Sequence, residues 1–211
     1  LLTLNTGAST ISGVISGAGA LTVAGTSVTT LSGANTYTGD TTVSGGTLTL
    51  LGGAALDNNN RVIVSGGALN VNAAETIGSL EGTGGPVTLN TRLTTGDNDA
   101  TTTYSGVITG LSGLTKIGTG TFTLSGANTY VDTTIVNEGS LVLTGGLALA
   151  NSNAVELNGT ANLTVATAET IGSLAGTADT TATLTATLTT GGNNTGTTMA
   201  GDMSGAGGLT K

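Results

Sequence analysis

The sequence predicts an all-β chain wound as a right-handed parallel β-helix, a β-solenoid of about eleven coils. Three observations carry that expectation: a composition dominated by Gly and Thr, a long internal repeat, and short alternating apolar stretches broken by Gly. Of 211 residues, 37 are Gly and 47 are Thr. Gly and β-branched Thr disfavour long helices, whereas Thr, Val and Ile favour pleated, half-buried surfaces. Aromatic residues make up 2% and charged residues 8%, and mean hydropathy is +0.28. That is not the charged, weakly hydrophobic composition of a disordered chain.

The repeat organises the chain. Leu31-Ser32-Gly33-Ala34-Asn35-Thr36-Tyr37 recurs as Leu124 to Tyr130, an offset of 93. Ala74-Glu75-Thr76-Ile77-Gly78-Ser79-Leu80 recurs as Ala168 to Leu174, an offset of 94. Leu93-Thr94-Thr95-Gly96 recurs as Leu188 to Gly191, and Leu114-Thr115-Lys116 as Leu209-Thr210-Lys211, both at 95. The super-repeat is therefore 93–95 residues, with single-residue insertions absorbed at turns. Residues 1–211 read as one continuous segment, with copies at about 12–104 and 105–199 and partial copies at both ends. The pattern is cut in mid-unit, so a longer repetitive chain is expected, with any secretion signal or membrane anchor outside this window.

Within a copy, strands follow in order. Thr47-Leu48-Thr49-Leu50, Arg61-Val62-Ile63-Val64 and Leu69-Asn70-Val71 alternate, as do Thr121 to Leu124, Leu141 to Leu143 and Thr183 to Thr185. Each reads as a strand of about four to six residues with one apolar face. Ser44-Gly45-Gly46, Ser65-Gly66-Gly67, Asn137-Glu138-Gly139 and Asn158-Gly159-Thr160 read as the turns between them. A sandwich or barrel would share this texture. The open-ended repeat, the small aliphatic core residues and the tolerated slips favour stacked coils. At roughly 18–20 residues a coil, one copy is expected to take about five coils and to advance about 24 Å, making a rod of roughly 50 Å.

Lys116-Ile117-Gly118-Thr119-Gly120-Thr121-Phe122-Thr123-Leu124-Ser125-Gly126-Ala127-Asn128-Thr129-Tyr130 resembles the autotransporter-associated β-strand repeat. The first copy continues that motif as Tyr37-Thr38-Gly39-Asp40-Thr41-Thr42-Val43-Ser44-Gly45-Gly46-Thr47-Leu48 but has Val23 to Ser27 in place of the upstream Lys-x-Gly-x-Gly. The second copy departs at Tyr130-Val131-Asp132. The resemblance implies a parallel β-helix in a secreted or surface-exposed bacterial passenger, and no particular ligand.

Several chemistries are excluded. There is no Cys and no His, so no disulfide, thiol nucleophile, Ser-His-Asp triad or imidazole metal site. Net charge is −8, and Arg61, Arg92, Lys116 and Lys211 are too few for a nucleic-acid footprint. Carboxylates remain. Asp97-Asn98-Asp99 with Arg92 is the best acidic cluster, for paired-acid or calcium chemistry. Its counterpart, Gly192-Asn193-Asn194 with Thr187, keeps the turn and loses the acids, so a solvated turn is expected. Glu75 and Glu169 are expected at coil corners, accepting backbone N–H bonds or facing water. Asn35 and Asn128 are expected to satisfy backbone groups about five coils apart. Tyr37 and Tyr130 are expected to cap the small-residue core or cover a turn rather than form a sugar platform. The Thr-rich run Thr180–Thr190 reads as outward Thr on a β-surface, not as an ice-binding row.

No catalytic, cofactor-binding or metal-ligating residue is assigned. The expected function is a non-enzymatic extracellular structural or adhesive segment, a stiff stalk at the bacterial cell surface. Self-association or a host glycan or protein would be the partner, and a membrane enters only through an anchor elsewhere. Two alternatives are a subunit of an assembled filament and a polysaccharide-active enzyme on the same scaffold.

Overall fold

The computed structural model describes residues 1–211 and shows an all-β parallel solenoid of about ten turns, without helix. Every strand pairing is parallel. The strands are short, of two to four residues rather than four to six, because each spans only one side of a coil.

Three faces run along the rod. The first stacks Leu2–Leu4, Leu21–Val23, Thr41–Val43, Arg61–Val64 and Ser79–Glu81. It passes through the Gly82–Tyr104 bridge into Thr102–Tyr104, Thr121–Leu124, Ser140–Leu143, Asn162–Val165, Thr181–Leu184 and Asp202–Ser204. The second stacks Ala8–Ile11, Val28–Leu31, Thr47–Leu50, Ala68–Val71, Pro86–Leu89 and Val107–Gly110, and resumes with Glu169–Ile171, Leu188–Thr190 and Leu209–Thr210. The third begins with Ser16–Gly17 and Thr36–Tyr37 and resumes with Glu75–Ile77, Leu93–Thr95, Leu114–Lys116, Thr134–Val136, Ala154–Leu157 and Ser173–Gly176.

Alternation sets what lies inside. In Thr47–Leu50 and Thr121–Leu124 the second and fourth residues are buried and the others half-buried. Register then stacks like on like: Leu48 on Leu69 on Val87 on Ile108, and Phe122 on Leu141 on Leu163 on Ala182. The columns join into one core of 39 buried residues, almost all small aliphatics, because three faces enclose a narrow interior. Corners bond from coil to coil as well: the N–H groups of Ser32, Leu51, Asn72 and Asn90 donate to the carbonyls of Ile11, Leu31, Leu50 and Val71. Coil therefore bonds to coil at its corners as well as along its strands.

The turn glycines serve two purposes. Gly46, Gly139 and Gly159 have positive φ, as tight turns require. Gly66 and Gly67 do not; a Cβ there would press on the Ser44 and Gly45 carbonyls of the coil beneath. Gly126 is tighter still, since an added methyl would run into the Gly106 carbonyl. Gly126→Ala must therefore pry two coils apart, with an expected cost of about 3 kcal/mol. Gly13, the counterpart of Gly106, has open space around it, so Gly13→Ala is expected to stay within about 0.5 kcal/mol. Urea denaturation midpoints of the two variants test the contrast.

Candidate functional site

The chemistry-bearing residues fall into interior polar ladders and one exterior turn. The ladders lie where strand pairing lapses. On the third face, Ala54 to Leu56 form no strand between Thr36–Tyr37 and Glu75–Ile77. Asn35 lies one coil below and Glu75 one coil above, both buried. The Asn35 Oδ1 accepts the Ile15 N–H at 2.7 Å, and its Nδ2 donates to the Ala55 carbonyl at 2.7 Å. The Glu75 carboxylate accepts the Ala55 N–H at 3.1 Å and the Leu56 N–H at 2.9 Å. A side-chain ladder from Ile15 to Glu75 thus spans four coils and bridges the one, at Ala54 to Leu56, that forms no strand.

The second copy repeats the ladder on the second face. Asn128 accepts the Ile108 N–H and donates to the Ala148 carbonyl, both at 2.7 Å. Glu169 accepts the Ala148 and Leu149 N–H groups at 3.1 and 3.0 Å. The expected hydrogen bonds of the four residues hold, with two differences in placement. Glu75 and Glu169 open strands and face the interior rather than sitting at coil corners. Five whole turns would have set Asn35 and Asn128 on one face, and they lie on different ones.

Burial pushes the carboxyl pKa of Glu75 and Glu169 above the ordinary value, and the paired amide bonds oppose that rise without cancelling it. The folded chain therefore holds these protons more tightly than the unfolded chain. Their contribution to stability is full below the ordinary carboxylate pKa and is lost as pH rises through the raised folded value. The melting-temperature gap between the wild type and the Glu75→Gln/Glu169→Gln variant is expected to widen from about pH 7 to about pH 4. Thermal denaturation at constant ionic strength reads it, and a gap that narrows in acid contradicts it.

A second ladder threads each copy. The Tyr37 hydroxyl bonds Thr41 Oγ1 at 2.6 Å, and Thr41 Oγ1 donates to Asn60 Oδ1 at 2.6 Å. Since the threonine proton goes to Asn60, the tyrosine is the donor to Thr41. Asn60 Nδ2 closes the chain on the Gly39 carbonyl at 2.7 Å. Tyr130, Thr134 and Asn153 do the same, ending on the Asp132 carbonyl. Both rings are buried, so they fill the core rather than cap it, and neither is a platform for sugar. Burial pushes the Tyr37 phenol up to about 12 and raises Tyr130 further. Thr41, Asn60, Thr134 and Asn153 were not legible as partners. Their signal was present: each recurs at the offset of Tyr37 and Tyr130, and Thr41 and Thr134 hold apolar places in an alternating strand.

Lys116 was read as a charge and as the first residue of the repeat motif, with no structural role assigned. It occupies an inward position, stacked between Thr95 and Val136, and is buried. Its ammonium donates to the Ile117 and Gly118 carbonyls at 2.6 and 2.7 Å. Desolvation lowers its pKa against the pull of Asp99 and Glu138.

The Asp97-Asn98-Asp99 cluster does not assemble with Arg92. Arg92 turns instead to Asp132 at 2.8 Å and the Thr133 carbonyl at 3.1 Å. Asp99 accepts the Thr119 N–H, which holds its carboxyl below the usual range. Asp99 and Asn194 share a left-handed conformation, and Asn98 and Asn193 reach Ser79 and Ser173 alike. The segment is the expected turn. No group of three or more acidic side chains is placed to hold a metal ion. The run Thr180–Thr190 divides between two faces, with Thr183 outward on the first and Thr189 on the second, so it forms no single row.

No curated protein and no solved structure matches the chain. What it shares with known proteins is the repeat: residues 21–50 and 114–143 each match the family model of the passenger-associated-transport-repeat, consistent with the autotransporter passenger β-repeat that the motif resembles.

Proposed function

We propose that the chain is a non-enzymatic, extracellular structural segment of a bacterial surface protein, a stiff solenoid stalk that carries adhesion or self-association. The observation that supports it most is continuity. Parallel pairing, corner hydrogen bonds and one apolar core run through about ten turns, and side-chain ladders bridge the lapses. A rod so bonded resists bending and grows in stability with each coil. The two repeat matches favour export to the cell surface. The finer description in this reading is a right-handed winding of about eleven coils, which follows the near-universal hand of parallel crossovers.

The test is accessibility on intact cells. Antibodies raised against this segment are expected to label unpermeabilised cells of the source bacterium, and external protease to remove the label. Labelling that appears only after permeabilisation overturns the reading. Polysaccharide turnover by the purified chain, abolished by Asp97→Asn/Asp99→Asn, would establish the enzymatic alternative instead.

A further inference from the structure

We infer that the sequence repeat advances four and two-thirds turns, so each copy presents its outer surface one face around from the copy before. Register carries the argument. On the second face Thr10 stacks under Thr30, Thr49, Asn70 and Thr88, which is four full turns. The next residue equivalent to Thr10, at the offset of 93, is Thr103. It lies 15 residues beyond Thr88 on the first face, two of three faces further round. The shift is the same wherever it is read. Thr47–Leu50 lies on the second face and its counterpart Ser140–Leu143 on the first. Arg61–Val64 lies on the first and Ala154–Leu157 on the third; Glu75–Ile77 lies on the third and Glu169–Ile171 on the second.

The outer chemistry moves with the phase. From Thr10 to Thr109 the strands of the second face contain no charged residue and line up Thr10, Thr30, Thr49, Asn70, Thr88 and Thr109 outward. From Thr103 to Thr183 the first face is uncharged on its outer side, with Thr103, Thr123, Val142, Thr164 and Thr183 outward, as is the second, with Thr170 and Thr189 outward. The charged face moves too. Arg61 bridges Asp40 and Glu81 on the first face, and in the second copy Glu156 stands outward on the third.

A flat partner lying along the first face therefore meets the Asp40, Arg61 and Glu81 charges in one copy and only uncharged side chains in the next. In a longer array the same side regains those charges after three copies, 14 turns or about 67 Å. No side of such an array keeps one surface chemistry throughout, so a partner matched to the charged strip touches a given side once in every three copies. This inference stands apart from the stalk reading, because surface labelling tests that reading and register tests this one.

The chain has no cysteine, so paired labels can be placed cleanly. Phasing by four and two-thirds turns sets Glu81 beside Thr103, and Thr88 beside Thr109, at one strand spacing of about 4.8 Å. Phasing by whole turns would stack Thr103 on Thr88. Nitroxides on Glu81→Cys/Thr103→Cys and on Thr88→Cys/Thr109→Cys are expected to show strong dipolar broadening, and on Thr88→Cys/Thr103→Cys none. All four sites face outward, and wild-type circular dichroism of each singly labelled chain certifies the fold. Broadening of the 88/103 pair, or its absence from the 81/103 pair, overturns the inference.

Discussion

Tyr130→Ala is expected to destabilise the chain by about 3–5 kcal/mol, and Tyr130→Phe by about 1 kcal/mol. The ring is fully buried in a core built otherwise from small aliphatics, so no neighbour is large enough to collapse into the space it leaves. Truncation also removes the donor to Thr134, whose own proton is committed to Asn153. Phe keeps the volume and loses only that donor. Because Thr134 and Asn153 remain paired with each other, the hydroxyl is the smaller share. For a chain of this length the Ala cost corresponds to a melting-temperature drop on the order of 10 °C. Tyr37 sits in the same arrangement and should show the same ratio. Equal costs for Ala and Phe in a denaturation series would mean that the ring contributes through its hydroxyl and not through packing.

The strands were legible because their signal is local. Thr47–Leu50, Arg61–Val64 and Thr121–Leu124 are bounded as their alternation and flanking glycines predict. The repeat was legible as an offset, but its phase was not. Ninety-three residues say nothing of how many make a coil, and the steps along the first face run from 18 to 22 residues, as from Val62 to Leu80 and from Gly82 to Tyr104. The polar ladders were half legible. Asn35 and Glu75 stood out as polar residues in a repeated stretch, yet their shared partner, Ala54 to Leu56, looks like ordinary sequence. Nothing local marks it as the place where a face loses its strand. The partnership of Asn35, Ala55 and Glu75 spans coils about 20 residues apart and becomes visible only once they stack. Lys116 was misjudged for the same reason: its partners are carbonyls, which sequence does not display.

Glu75→Ala is expected to cost about 2–6 kcal/mol, because it strands two buried N–H groups, those of Ala55 and Leu56, at about 1–3 kcal/mol each. Relief from burying a carboxylate offsets part of this, and the raised pKa shows that burial is not free. The orphaned amides still decide the sign, since the Glu75 carboxylate is the acceptor of both and the methyl of Ala brings none. Glu75→Gln should fall between, its carbonyl keeping one of the two bonds. Asn35→Ala acts on the other side of the same residue by freeing the Ala55 carbonyl and the Ile15 N–H. If the ladder works as one unit, the two losses overlap. A double-mutant cycle on Asn35 and Glu75 should then depart from additivity by about 0.5–3 kcal/mol, whereas Glu75 with Asn128, in the other copy, should add within about 0.5 kcal/mol. An additive Asn35–Glu75 pair would reduce the ladder to separate local bonds. A coupled pair would mean that each copy carries a clasp across four coils at the point where its backbone pairing fails, which is what a stalk needs if a lapse in one face is not to become a hinge.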